Sequence, residues 1–507
     1  MRTSALVPVH QRTVPRSGRS WRRKLLPVVL PVCAVLLFPP AWAQVPDRSA
    51  PPEIGPPPAL KLASLQHLKL SNGLPVILCE KHEVPLVQVN LLVNAGATMD
   101  PPGKPGLASM TVAMLTEGAG ARSALELADA IDFLGARITA ASGYHTAVVA
   151  MHTPVTKLDS ALALMADVAL RPTFPAADLE RKRVEDLTTL LQWRDDPRSL
   201  ASVEFDRVLY GANHPYGVPI IGDEQSIRSF TPDDLGRFFA SYFRPNNASL
   251  IVVGDVTAAS ILPKLEKAFG RWEAGKVPAT STSAIAQVRE RNVFLVDKPG
   301  APQSQIRIGC IGAPRLTDDY YAIVVMNTIL GGSFGSRLNQ NLREQHGYTY
   351  GAGSRFDFRP LAGPFLASSA VQTAVTDKSI TEFMKELNGI LAPVSDTELE
   401  RARNYVAFSY PADFQSVEEI AGELVNLAVY NLPDDYFDKY IGHILAVTKE
   451  DVARAARKYL DPQKVDIVIV GDRQHIEAGV QALNLGPLKV LTVGDVLGEA
   501  PAIGTKE

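Results

Sequence analysis

Tyr242-Phe243-Arg244-Pro245 runs into Ala248-Ser249-Leu250-Ile251-Val252-Val253-Gly254-Asp255, and further on Tyr459-Leu460-Asp461-Pro462 runs into Val465-Asp466-Ile467-Val468-Ile469-Val470-Gly471-Asp472. Tyr242, Pro245, Gly254 and Asp255 recur as Tyr459, Pro462, Gly471 and Asp472, all at a single shared offset, and Thr231-Pro232-Asp233-Asp234-Leu235 recurs at that offset as Thr448-Lys449-Glu450-Asp451-Val452. Each copy reads as a capping threonine, an amphipathic helix, a turn and a buried strand that ends at Gly-Asp. A second echo, Leu179-Glu180-Arg181 and Leu399-Glu400-Arg401, lies at a slightly longer offset, as expected if loops differ by a few residues. Four identities held in register across three elements mark an internal duplication.

Each half is then a domain of roughly 200 residues, which suits the length at about 100–200 residues per domain. With 46% hydrophobic and 21% charged residues the chain can bury a large core, which excludes a disordered, collagen-like or coiled-coil protein. In the first half, residues 74–78 and 86–93 read as strands, and 108–115 and 124–134 as helices, the latter with Leu125, Ala128 and Ile131 on one face. Residues 143–152 read as a strand and 155–170 as a helix. The second half repeats the order, with strands at 293–296 and 305–311 and a helix over 320–330. Grouped strands and helices on an antiparallel-type plan predict an α+β fold of two tandem homologous α/β domains, 60–274 and 291–483. A linker, 275–290, joins them, and 484–507 is expected to be a tail.

Residues 1–43 have the three parts of a secretory signal peptide: seven basic and no acidic residues in 1–24, an apolar stretch over 25–38, and Ala41-Trp42-Ala43 before Gln44. Pro27, Pro31, Pro39 and Pro40 crowd that stretch, which is short of the roughly 20 residues a membrane helix needs. An exported, periplasmic chain without a stable membrane anchor is expected, beginning with a Pro-rich tether over 44–59. Cleavage leaves 44 basic against 54 acidic residues, which gives no reason to expect nucleic acid as a partner. Cys79 and Cys310 lie in apolar strand-like runs and read as small buried hydrophobes rather than a disulfide pair.

The eight histidines after the leader include no two at the helical or strand spacing that a hydrolytic zinc site uses. P-loop and dinucleotide fingerprints are absent as well, and Gly331-Gly332-Ser333-Phe334-Gly335, which has the Gly-x-Ser-x-Gly spacing, follows a helix rather than the strand a nucleophile elbow needs. The most informative segment is Gly331-Gly332-Ser333-Phe334-Gly335-Ser336-Arg337-Leu338, continuing to Leu342-Arg343-Glu344-Gln345-His346-Gly347-Tyr348-Thr349-Tyr350. It reads as a flexible Gly-rich loop, a helix from about Ser336 closed by Gly347, and a strand. Arg343 falls in the last helical turn and Tyr350 early in the strand, so both can emerge at one end of the domain. On the residues alone they can equally be a helix-dipole partner and a half-buried strand aromatic.

The duplicated plan, the Gly-Gly-Ser-x-x-Ser-Arg-Leu run and the Leu-Arg-Glu-x-x-Gly-x-x-Tyr core resemble the pitrilysin/insulinase peptidases, the inverted zincins, over about residues 60–480. That resemblance implies a zinc helix with His-x-x-Glu-His in one half, a later Glu as third ligand, and an Arg and a Tyr seven apart in the opposing half that hold the substrate and its oxyanion. Arg343 and Tyr350 match that pair; Gly331, Gly332, Ser333, Gly335 and Tyr348 would line the same substrate wall. The zinc helix departs. Here it reads Gly106-Leu107-Ala108-Ser109-Met110-Thr111-Val112-Ala113, with Ser109 and Ala113 in place of the histidines and Val112 in place of the base. Counting back from Asp195-Asp196-Pro197, the third-ligand position falls on Thr188, with Glu185 nearby but out of register. No metal is expected in this chain. The resemblance implies a non-catalytic subunit that supplies Arg343 and Tyr350 to a zinc-bearing paralogous partner carrying His-x-x-Glu-His, in a heterodimer that cleaves peptides. The alternative is a peptidase-derived scaffold or peptide-binding protein with no proteolytic role.

Overall fold

The computed structural model describes residues 55–279 and 285–502; the leader, most of the tether and the middle of the linker lie outside the described residues. Two six-stranded mixed sheets organise the chain. The first comprises β1 (Gln66–Lys69), β2 (Pro75–Glu80), β3 (Leu86–Val93), β4 (Arg137–Ser142), β5 (Ala147–Pro154) and β6 (Ala248–Gly254), in the order β1-β2-β6-β3-β5-β4. The second comprises β7 (Asn292–Asp297), β8 (Gln303–Ile311), β9 (Thr349–Phe356), β10 (Pro364–Gln372), β11 (Asp466–Gly471) and β12 (Leu488–Leu491), in the order β9-β10-β8-β11-β7-β12. Apart from β1 and β12 the two orders superimpose strand for strand, each with one parallel pair, β2 with β6 and β7 with β11, and antiparallel neighbours beyond it. The chain has the α+β, twice-repeated architecture that its sequence implies.

The repeat extends to helix boundaries. Thr231 caps helix Pro232–Tyr242 through a reciprocal bond with Asp234, and Thr448 caps helix Lys449–Tyr459 through Asp451, in the register of the duplicated strands. Helices Pro197–Tyr210 and Val417–Tyr430 begin and end in the register of the Leu-Glu-Arg echo.

Those last two helices lock the halves together. Strand alternation sends Val76, Leu78, Leu91, Leu250 and Val252 toward the first half's own helices, and Ile77, Cys79, Leu92, Ile251 and Val253 to the opposite face. Helix Val417–Tyr430 from the second half covers that opposite face, over β3 and β6, with Ile420, Ala421, Leu424 and Leu427 buried. Helix Pro197–Tyr210 from the first half returns the contact, laying Leu200, Ala201, Phe205 and Leu209 on the outer face of β8 and β11. The fit is close at Gly309 in β8, where a Cβ would lie 2.7 Å from Phe205 Cζ and 2.0 Å from the Phe365 carbonyl oxygen. Each fully buried side chain of this kind contributes about 1.5–3 kcal/mol, so the halves share substantial buried surface, while the first half also keeps a core of its own on the other face of its sheet.

Several expectations need correcting. Residues 143–146 form the turn of the β4–β5 hairpin, closed by Gly143 N–H donating to the Thr146 carbonyl at 2.8 Å, so the strand expected over 143–152 starts at Ala147, after an unanticipated β4. Helix Ala124–Phe133 buries Leu127 and Ile131, not Leu125 and Ala128; Leu125 is 72% exposed. The expected tail is part of the second sheet. β12 pairs in parallel with β7, and helix Val493–Leu497 packs on helix Pro197–Tyr210. Cys79 and Cys310 are buried free thiols, 1% and 2% exposed.

Candidate functional site

The informative segment begins with helix Tyr320–Asn327, which passes into a π-helical turn, Thr328–Gly332. Such turns need a local reason, and here it is contact with β9. A Cβ on Gly331 would lie 2.3 Å from the Ser354 backbone nitrogen, so only glycine fits. Asn327 Nδ2 donates to the Ser354 carbonyl at 3.0 Å, and the Ser354 hydroxyl donates back to Asn327 Oδ1 at 2.7 Å. A Cβ on Gly332 would meet Asn327 Nδ2 at 2.8 Å. Gly331 and Gly332 therefore serve helix–strand packing within the chain, and the Ser333 hydroxyl is spent on the Thr328 carbonyl at 3.1 Å. Gly335 is the open one of the three glycines.

A frame of polar ties holds the next stretch of chain. Ser336 starts helix Arg337–Asn339, which runs into a second π-helical stretch, Gln340–Gln345, before Gly347 turns the chain at φ +65°. The Arg337 guanidinium grips Glu398 through two bonds, 2.7 and 3.2 Å, and holds its carboxyl down to about 2, with bonds from Ser395 adding to the effect. Asn341 Nδ2 donates to Glu382 and Glu386 at 2.8 and 2.7 Å, and Asn339 Nδ2 donates to the Phe334 carbonyl at 2.7 Å. Tyr348 N–H donates to the Leu342 carbonyl at 2.9 Å, which brings the helix end against the start of β9.

Arg343 and Tyr350 sit on this frame. The Arg343 guanidinium lies 4.3 Å from the centre of the Phe334 ring, and its nearest carboxylate among the described residues is its neighbour Glu344, at 3.5 Å. β9 is an edge strand, and its register shifts between Thr349, opposite Val371, and Ala352, opposite Ser369. That bulge sets Tyr350 and Gly351 together against Ala370 and throws Tyr350 outward. Tyr350 is 91% exposed, an extreme value for a strand aromatic. Tyr348, expected on the same strand face, precedes the strand and stacks on His346 with ring centres 4.9 Å apart. The sequence reading missed Phe334, 63% exposed, which completes the wall beneath Arg343. Its signal was a lone aromatic inside a Gly-rich run.

The degenerate helix, Leu107–Ala113, is capped from a distance. Asp100 accepts from the Gly106 and Ala108 N–H groups at 2.7 Å each, while burial pushes its carboxyl up to about 7. Val112 is 1% exposed within the first core, and Ser109 and Ala113 are half-buried. The Thr188 hydroxyl donates to the Val184 carbonyl one turn back at 2.7 Å, and Glu185 is tied to Arg181 and Lys182 at 2.7 and 2.9 Å. Hydroxyl, methyl and isopropyl groups offer none of the imidazole, thiolate or carboxylate donors that zinc takes. Among the described residues no group of three His, Cys, Asp or Glu is placed so that it could hold a metal ion. The residues at these four positions do not fit a zinc ion.

Comparison with known proteins agrees with this arrangement. The family model described as "Insulinase (Peptidase family M16)" matches residues 75–202, and that described as "Peptidase M16 inactive domain" matches residues 229–406. An uncharacterized zinc protease of Rickettsia bellii is 23% identical over 406 residues, 79% of this chain and 96% of that protein. The non-peptidase homolog YmxG of Helicobacter pylori is 23% identical over 425 residues, 82% of this chain and 96% of that protein. Among solved structures, a peptidase M16 inactive domain from Pseudomonas fluorescens superimposes with a TM-score of 0.75 at 28% identity, over 80% of this chain and 98% of that one. The periplasmic protease PqqL of Escherichia coli shares the fold, with a TM-score of 0.68 at 17% identity, over 84% of this chain but only 50% of that one. With its repeated halves, matched segments and stripped zinc helix, the chain belongs to the M16 (pitrilysin/insulinase) peptidase family as an inactive member.

Proposed function

We propose that this chain is the non-catalytic, substrate-binding subunit of an exported zinc-dependent endopeptidase complex that acts on peptides. A paralogous partner with an intact His-x-x-Glu-His helix supplies the zinc, and this chain supplies Arg343 and Tyr350 across the interface. The observation that carries the reading is Tyr350: 91% exposed and aimed outward by a bulge, on a strand that packs against the helical segment bearing Arg343, whose only near carboxylate among the described residues is Glu344. Tyr350 is not used for packing, and Arg343, though half-buried over Phe334, keeps part of its side chain within reach of a guest. The phenol would donate to the oxyanion that develops on the scissile carbonyl. Arg343 would orient the peptide backbone through charge-assisted hydrogen bonds. PqqL, of which this chain covers 50%, is a periplasmic protease, and that setting suits the leader-like residues 1–43.

Reconstitution tests the proposal. The purified chain is expected to cleave no peptide alone and to restore cleavage when mixed with the paralogue. Tyr350→Phe should then lower kcat about 10²–10³-fold, the usual loss for one oxyanion donor, with assembly on gel filtration unchanged. Undiminished turnover would leave the scaffold reading standing. Chelator-sensitive cleavage by the isolated chain would overturn the proposal.

A further inference from the structure

The internal repeat lets one half serve as a control for the other. Helix Ala176–Trp193 in the first half and helix Asp396–Ser409 in the second begin at equivalent points of the Leu-Glu-Arg echo. In the first, Arg181 is held by three carboxylates: Asp178 and Glu185 on its own helix, and Glu117 from the segment before it. Its counterpart in the second half is Arg401, and the counterparts of Asp178 and Glu185 are Glu398 and Tyr405. Glu398 has turned to Arg337 instead. Tyr405, half exposed at 50%, carries no charge to offer. Arg401 is exposed, and among the described residues it has neither a carboxylate within 4 Å nor a hydrogen-bond partner.

Its position places the unpaired charge on the substrate wall. Arg401 Nε lies 4.0 Å from where a Gly335 Cβ would sit, and the preceding residue is Phe334, the ring under Arg343. Arg343 and Arg401 thus flank Phe334–Gly335, with Tyr405 one helical turn beyond Arg401 on the same face. Of the other charges on this stretch, Arg337 is neutralised by Glu398, Asp396 is taken by Lys449 and Arg343 has Glu344 at 3.5 Å, while Glu400, the residue before Arg401, stays more than 4 Å from its guanidinium. Between the two flanking arginines, the one without a carboxylate partner among the described residues is Arg401, bordered by the exposed rings of Phe334 and Tyr405. A guanidinium freed from its helical partners is matched by a carboxylate, which it can take bidentately. Rings beside it favour aromatic or apolar neighbours in the bound chain. Resting on the substrate-binding role above, we propose that Arg401 and Tyr405 form a further subsite that selects peptides with an acidic side chain flanked by aromatic or apolar residues.

Fluorescence anisotropy of the chain from Gln44 tests this with two labelled peptides, repeats of Gly-Glu-Phe and of Gly-Gln-Phe. The Glu peptide is expected to bind about tenfold more tightly at low salt, the scale of one charged hydrogen-bonded contact, with the advantage fading at high ionic strength. Arg401→Gln should bring the ratio near one. Tyr405→Glu should do the same by rebuilding the pairing that Glu185 gives Arg181. Arg181→Gln should leave the ratio unchanged. A wild-type chain that binds neither peptide, or shows no preference, overturns the subsite, as does a preference that survives both Arg401→Gln and Tyr405→Glu. The two readings fail separately. If the paralogue restores Tyr350-dependent cleavage but the Glu/Gln ratio of kcat/KM ignores residue 401, the subsite alone is wrong. If the binding preference follows Arg401 and no paralogue restores cleavage, the subunit role is wrong.

Discussion

Leu424→Ala puts the interlocking of the halves to a direct test. Leu424 is fully buried on the second-half helix that covers the first sheet, in the cluster that also holds Ile77, Leu92 and Ile251. Truncating such a leucine costs about 2–5 kcal/mol through lost transfer energy and the cavity left behind, against a total stability of about 5–15 kcal/mol. The tryptophans make the readout clean. Trp21 and Trp42 lie in the leader, and Trp193 and Trp272 both pack against the first-half core. In the chain from Gln44, indole fluorescence therefore reports the first half alone, while far-UV ellipticity reports both. Leu424 is remote in sequence from both reporting tryptophans, yet its truncation is expected to lower the urea midpoint of both signals together. With a slope of about 3 kcal/mol/M or more for a chain of this size, the drop is on the order of 1 M. Phe205→Ala, the mirror-image deletion, should do the same at about 3–5 kcal/mol. A fluorescence midpoint that ignores Leu424→Ala while ellipticity falls in a separate step would refute the interlocked core.

Asp100 should make stability depend on pH. Burial raises its carboxyl to about 7 in the folded chain, so the folded state binds this proton more tightly than the unfolded one, and stability falls as pH rises from about 4 to about 7. Comparing urea midpoints across that range, Asp100→Asn is expected to remove a component on the order of 2–4 kcal/mol; identical slopes in the two proteins would contradict the assignment. Gly331→Ala drives a methyl into the Ser354 backbone. It should cost about 1–3 kcal/mol in thermal unfolding and reduce reconstituted turnover as Tyr350 shifts with β9. Wild-type behaviour in both assays would mean that the helix–strand contact does not position the wall.

How much of the fold and site was legible beforehand depended on whether the signal was local. Thr231 and Thr448 announce helix starts because a capping hydroxyl and an acid three residues later act within one turn, and both helices stand where the repeat puts them. Gly347 marks a helix end for the same reason. The rotation of helix Ala124–Phe133 about its axis is not local. Its capping box fixes where it starts, but the sheet beneath decides that Leu127 goes in and Leu125 stays out. β12 was missed because its parallel partner, β7, stands at the opposite end of the second half in sequence, and a short strand that includes Lys489 carries no strong periodicity. At the site, the Arg343–Tyr350 spacing pointed to the wall, whereas the use of Gly331 could be seen only once Ser354 was in place. The π-helical turns had no sequence cue beyond paired glycines.

The crossed helices also bear on how the protein is made. A ribosome completes β6 at Gly254 long before it reaches Tyr430, the end of the helix that covers β6. At about 5–20 residues per second, the open face carrying Ile77, Cys79, Leu92, Ile251 and Val253 waits on the order of ten to thirty seconds for its lid. Throughout that interval the nascent chain offers a greasy sheet to any chaperone or to a sister molecule. Separately expressed halves should for the same reason expose that face and self-associate.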